Sequence, residues 1–136
     1  MDATLLDTDV LSEVIKLRNP TVRQRALAYR QQHGQLAISA ITKYEIVRGY
    51  RDHNATAQLA HFEVFCQHEL VLAVTDAIFD RAADLWVTGR KGGHPRADAD
   101  LIIAATALEH GRVLATGNTA HFAWIPGLRL DDWRRP

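Results

Sequence analysis

The chain has 136 residues, 47% of them hydrophobic and 24% charged, with 16 basic and 16 acidic side chains. That balance fits one globular domain, large enough to bury roughly two thirds of its unfolded surface, and argues against a disordered, fibrous or strongly polyanion-seeking protein. No apolar run is long enough to span a bilayer and an apolar segment begins almost at Met1, so neither a membrane protein nor a cleaved leader is expected and a cytoplasmic site of action is.

The first predicted element is a short apolar strand, Thr4, Leu5, Leu6, ending in Asp7, Thr8, Asp9. Asp9 or Ser12 can cap a helix reaching Arg18, and Asn19 with Pro20 separates it from a second helix, Thr21 to Gln32, closed by Gly34. A second strand, Leu36 to Ile38, leads to Ser39, which can cap a helix from Ala40 to Asp52 carrying Glu45. Residues 55–68 place apolar side chains at mostly helical spacing, and Leu70 to Val74 read as a third strand. Thr75 or Asp76 then caps a helix to about Arg90, with Ile78, Phe79, Ala82, Leu85 and Trp86 as its apolar stripe. After a polar loop, Asp98 and Asp100 open a helix whose body, Leu101 to Leu108, is apolar all round and therefore expected to be buried. Val113 to Ala115 form a fourth strand that stops at Thr116, Gly117, Asn118, and Leu128 to Leu130 a possible fifth. About five short strands and six helices in alternation predict a three-layer α/β/α sandwich with a mainly parallel central sheet.

In parallel sheets, ligands bind beyond the carboxyl ends of the strands. Three of the four polar places in this chain, at Asp7, near Glu45 and at Thr116 to Asn118, follow strands, and the fourth is the Asp98/Asp100 pair. Acids gathered without a cation repel one another and raise each other's pKa, so such a cluster calls for compensation. A hard divalent ion such as Mg²⁺ supplies it, with oxygen ligands and retained waters. Asp7 stands on the strand end itself and reads as a ligand; Asp9 reads mainly as a cap. Glu45 lies roughly 40° around its helix from Ile41, at the margin of the apolar face. In a regular helix Asp98 and Asp100 point roughly 200° apart, which makes Asp98 the cap and Asp100 the ligand. With zero net charge, any nucleic acid must be held locally, and the candidates are Lys43, Arg48, Arg90, Lys91 and Arg96. The seven histidines show no paired-ligand spacing, though His121 follows Asn118 closely enough to reach the same edge. Cys66 is the only cysteine, so there is no disulfide framework, and it is expected to be buried on a helix.

Four stretches carry a family resemblance: LLDTDVLSEV at residues 5–14, ITKYEIVRGY around Glu45, DLIIAATALEHG from Asp100 to Gly111, and TGNTAHFAWIPGL from Thr116 to Leu128. In that order and over nearly the whole chain, they resemble a PIN-domain ribonuclease of the VapC toxin type. The resemblance implies one PIN domain over residues 1–136, cleavage of RNA dependent on Mg²⁺ or Mn²⁺, a homodimer, and neutralisation by a cognate VapB-like antitoxin. By position, Asp7, Glu45 and Asp100 match the family's acidic metal-site residues. Asn118 fills a place held by an acid or often Asn, with Thr116 and Asp98 as accessory candidates. Arg90, Lys91 and Arg96 are candidate RNA contacts, and Phe62, Phe65 and Trp86 candidate partner contacts. Two rival readings use fewer of these residues. One is a HAD-like phosphatase with Asp7 as nucleophile, in which Leu11 departs from the motif. The other is a receiver-like domain with Asp76 as phosphoacceptor, lacking the lysine it needs.

Overall fold

A computed structural model describes residues 1–136. Five strands are present: β1 (Thr4–Leu6), β2 (Ala37–Ser39), β3 (Leu70–Leu72), β4 (Val113–Ala115) and β5 (Leu130–Asp131). They alternate with α1 (Thr8–Lys16), α2 (Pro20–His33), α3 (Ala40–Asp52), α4 (Thr56–His68), α5 (Asp76–Lys91), α6 (Asp98–Glu109) and α7 (Thr119–Phe122). All strand pairs are parallel, in two ladders: β1-β4-β5 and β2-β3, with β1 packed beside β2. The strand order across the layer is thus β3-β2-β1-β4-β5, and the carboxyl ends share one edge.

Period-two alternation decides which side chains go to which side of this layer. Leu5, Ala37 and Leu114 face a core shared with Ile78 and Leu85 of α5 and Leu101, Ile103 and Ala107 of α6. Their neighbours Leu6, Ile38 and Ala115 face the opposite core, with Val10 and Leu11 of α1, Val22 and Tyr29 of α2, Phe62 of α4 and Trp133 from the tail. Each fully buried leucine or isoleucine contributes about 1.5–3 kcal/mol, so three-residue strands are held by packing on both faces more than by their few ladder bonds. Helix α6 runs between the sheet and α5, which is why Leu101 and every residue from Ile103 to Ala107 are buried.

Local signals set most boundaries. Asn19 accepts from the amides of Thr21 and Val22 with Pro20 opening the helix, Ser39 caps α3, and Thr75 caps α5. Gly34 stops α2 at φ 85°, a conformation open to glycine. Helix α1 differs from expectation. Its cap is Asp7, whose Oδ1 accepts from Thr8 N at 2.8 Å, so the helix starts earlier and Asp9 is free for other work. Cys66 is half-buried on α4. No helix is long and apolar enough to cross a membrane.

Candidate metal and phosphate site

Strand pairing brings the first and fourth polar places together directly. Asp7 N donates to Ala115 O at 2.9 Å, continuing the β1–β4 ladder by one bond, so the side chains that follow the two strands meet. Asp7 is only 6% exposed. Its Oδ2 accepts from Thr116 Oγ1 at 2.8 Å, and Thr116 Oγ1 in turn accepts from Asn118 N at 3.0 Å. The buried Thr116 hydroxyl therefore links the first acid to the turn that presents Asn118.

The Asp9 carboxylate leans across the same edge. Its Oδ2 accepts from Gly117 N at 2.9 Å and lies 3.4 Å from Asn118 Nδ2, while Oδ1 accepts from Val10 N. Glu45 arrives from α3, where its Oε1 accepts from Thr8 Oγ1 at 2.9 Å; Thr42 Oγ1 lies 3.2 Å from the same hydroxyl. Arg48 stands 3.9 Å from the other Glu45 oxygen, an exposed pairing with little energetic weight. Asp100 enters from the first turn of α6, half-buried, with the His121 imidazole and the Arg96 guanidinium near its carboxylate.

Electrostatics tie Asp7, Asp9 and Asp100 to one another, while Glu45 joins that edge through the Thr8 hydroxyl. Burial, then the neighbouring Asp9 charge, pushes Asp7 up from the ordinary 3.8 to about 6, against the pull of its bonds from Thr116 and Thr8. Asp100 adds a smaller push in the same direction. Burial also raises Asp100, opposed by His121 and then Arg96, and Asp9 raises it further. Asp9 is thus within the field of both, and of the nearby guanidinium groups Arg96 acts on Asp100 and Arg134 on Asp9, while Asp7 has none.

The donor set is all oxygen plus one amide, as a hard cation requires. No three carboxylate, imidazole or thiol groups stand close enough to hold an ion between them. The residues therefore fit a hydrated cation that keeps several waters, the usual Mg²⁺ mode, and do not fit a dry cage or a zinc centre.

Several expectations need correction. Asp98 is not the cap of α6: Ala97 holds that place without a side-chain bond, and Asp98 lines a shallow groove with Phe79, Trp86 and Leu101, on the α5 side. Asp9, read as a cap, is a member of the acidic edge, and the acid-spaced string Asp7, Thr8, Asp9 was the signal for it. Of the basic loop candidates, Arg96 alone comes to the site, its Nε donating to His121 O at 3.1 Å. Arg90 lies over the Trp86 ring at 5.3 Å, and Lys91 is exposed at the end of α5. Lys43 faces α4 near Glu63 and Cys66. Phe62 is core, Phe65 lines an apolar groove with Val14, Leu17 and Leu27, and Trp86 is exposed. The receiver-like reading fails on topology: Asp76 follows β3, and β2 stands between that strand and Asp7.

The sequence matches the PIN domain over residues 4–126. It is 28% identical to the tRNA(fMet)-specific endonuclease VapC of Shigella flexneri over 130 residues, covering 95% of this chain and 96% of the relative. It is 30% identical to ribonuclease VapC10 of Mycobacterium tuberculosis over 125 residues, covering 92% and 90%. Among solved structures, a chain of the DNA-bound VapBC complex of Salmonella typhimurium superposes with a TM-score of 0.85 at 28% identity, covering 98% of this chain and 99% of that one. With the PIN domain matched over most of its residues and nearly its whole length in common with these proteins, the chain belongs to the PIN-domain family, as one of its VapC-type toxins.

Proposed function

We propose that this protein is a metal-dependent endoribonuclease that cleaves RNA phosphodiester bonds and is neutralised by a VapB-like antitoxin. The observation that carries the reading is the convergence of Asp7, Asp9 and Asp100 on one strand edge, where burial first and the Asp9 charge second push Asp7 up to about 6. Three mutually repelling acids at the carboxyl ends of parallel strands store an unfavourable interaction that a divalent cation relieves. A binding module for RNA alone has no use for such a concentration of negative charge.

In this reading at most two of the carboxylates would hold the cation directly, and the others among Asp7, Glu45, Asp100 and Asp9 would reach it through retained waters. Bound there, Mg²⁺ or Mn²⁺ neutralises charge on the scissile phosphate and lowers the pKa of the attacking water. Thr116 keeps the Asp7 carboxylate oriented by donating to Oδ2, and the Asn118 amide presents a neutral ligand or a donor for a phosphate oxygen. Thr8 holds Glu45 toward the edge. Arg96 and His121, beside Asp100, supply donors for the RNA backbone. Arg90 and Lys91 are more distant backbone contacts, along the path from the α5 end.

The relatives named VapC are ribonucleases or an endonuclease, and the Salmonella structure is a VapBC complex; both support the reading. The antitoxin seat we favour is the groove between α1, α2 and α4, where Leu17 and Leu27 are 60% and 57% exposed beside Ile15 and Phe65. An amphipathic segment covers such leucines readily. We further place the protein in the cytoplasm, where its RNA substrate is, and as a homodimer.

The test is cleavage of a tRNA and rRNA panel by the purified chain, freed of partner, with Mg²⁺, Mn²⁺ or EDTA. Wild type is expected to cut only with metal, and Asp7→Asn and Asp100→Asn to lose at least about 100-fold in rate while remaining folded. Metal-dependent cleavage surviving in Asp7→Asn sinks the assignment. Phosphate release from a small phosphomonoester with no RNA cleavage returns the phosphatase reading.

A further inference from the structure

The C-terminal tail reaches the acidic edge. β5 is fixed to β4 by backbone bonds, including Thr116 N to Asp131 O at 3.0 Å, and Arg25 Nη2 lies 2.8 and 2.9 Å from the two Asp131 carboxylate oxygens. Trp133 is completely buried, its ring 5.8 Å from that of Tyr29. Arg134 is the next residue, so its guanidinium starts from a fixed point. Asp132 orients it: Oδ1 accepts from Arg134 N at 3.0 Å and from Nε at 3.2 Å. The remaining reach is spent on Gly117, whose carbonyl accepts from Arg134 Nη2 at 2.6 Å.

Gly117 is the residue whose N–H is held by Asp9. Its two backbone polar groups are thus gripped from opposite sides by an acid of the site and an arginine of the tail. A Cβ at this position would stand 2.6 Å from Arg134 Cζ and 2.8 Å from Asp9 Oδ2, so the grip exists only because the residue is glycine. The peptide that Arg134 holds by its oxygen is the one whose N–H, on Asn118, is held by Thr116 Oγ1, the hydroxyl that donates to Asp7. One chain of contacts therefore runs from the tail through the turn to Asp7 and Asp9.

We propose that Arg134 is a positioning residue of the catalytic edge: it locks the Gly117–Asn118 peptide so that Asp9 and the Asn118 amide are held in working orientation. The contribution to metal binding rests on the reading of this edge as a metal site. The mechanical part does not. Loss of the guanidinium frees the Gly117 carbonyl, which water then solvates, and the turn gains freedom at its middle.

The test compares Arg134→Ala, Arg134→Gln, which keeps one neutral donor, and Arg135→Ala, which removes an equal charge from a side chain 84% exposed and 3.6 Å from Asp132. Amide hydrogen exchange at Gly117 and Asn118 is read by NMR in metal-free protein, Mn²⁺ affinity by calorimetry, and RNA cleavage as separate kcat and KM. In Arg134→Ala, exchange at both amides should rise about 10-fold, Mn²⁺ binding weaken and kcat fall by similar factors with KM for RNA unchanged, as expected for loss of one charge-assisted bond. Arg134→Gln should recover part of each, and Arg135→Ala should match wild type. The proposal is overturned if exchange at Gly117 and Asn118 is unaltered, if Arg135→Ala reproduces Arg134→Ala, or if KM alone rises, which makes Arg134 a substrate contact. Wild-type protein that binds no Mn²⁺ and cuts no RNA overturns the metal reading instead, and the exchange rates still decide on Arg134.

Discussion

Replacing Asp7 with Asn should make the metal-free protein more stable at neutral pH while disabling it. The Asp7 carboxyl titrates near 3.8 in an unfolded chain and at about 6 in the fold, chiefly because it is buried and next because Asp9 is charged. At about 1.36 kcal/mol per tenfold change in proton affinity, keeping it ionised in the fold costs about 3 kcal/mol above pH 6. Asn removes that cost and keeps the Thr8 N bond through its own oxygen. The Thr116 hydroxyl, which now donates to Oδ2, must instead accept from the new amide, leaving its proton without a partner at a cost of about 1 kcal/mol. The net gain is then about 2 kcal/mol. The pH dependence has a definite sign, because a raised carboxyl favours the folded state while protonated. Wild-type stability is highest, relative to the variant, below about pH 4, and is lost as pH rises through about 6. Urea unfolding in EDTA at pH 8 and pH 4 measures both arms: a gain of about 2 kcal/mol at pH 8 that disappears at pH 4. A variant less stable than wild type at pH 8, or a difference that ignores pH, refutes the argument that Asp7 is held charged at a cost.

Three other perturbations probe separate parts of the structure. Gly117→Ala meets only the mobile ends of Arg134 and Asp9, so unfolding free energy should change by less than about 1 kcal/mol while RNA cleavage falls at least about 10-fold; equal losses in both would mean that the turn supports the fold instead. Trp133→Ala empties a completely buried site and should cost about 3–5 kcal/mol in urea unfolding, with the C-terminal amides losing exchange protection first. Glu69→Ala removes a buried carboxylate that accepts from Leu36 N at 3.2 Å and from Arg30 Nε at 3.1 Å, and should cost about 2–3 kcal/mol because a buried N–H is left unpaired; a calorimetric melting temperature within a degree of wild type contradicts this.

Asp7, Glu45 and the Thr116–Asn118 turn are legible as a candidate site because each lies just beyond an apolar run or on the helix that follows one, whereas Asp100 follows a polar loop and opens its apolar run. Asp9 was harder, because an acid one or two residues from a helix start is an ordinary cap in sequence terms. Only the approach of Gly117, brought in by the β1–β4 pairing, shows that its carboxylate turns outward to the site. The same limit explains Asp98, whose helix is capped by backbone geometry at Ala97 while its side chain falls on the α5 side. Arg96 and Arg90 belong to one basic cluster in the sequence, yet one reaches His121 and the other lies on Trp86, a difference made by the course of the loop.

The sequence by itself determined the alternation of elements, the two-faced strands and the buried character of α6. These follow from periodicities of two and 3.6 residues and from turn chemistry, which act over short spans of chain. Tertiary structure alone decided which acids feel one another's charge, and that a tail arginine grips the turn more than a dozen residues before it. Such long-range meetings are products of strand order and of the anchoring of Trp133 in the core, and no local pattern of residues encodes them.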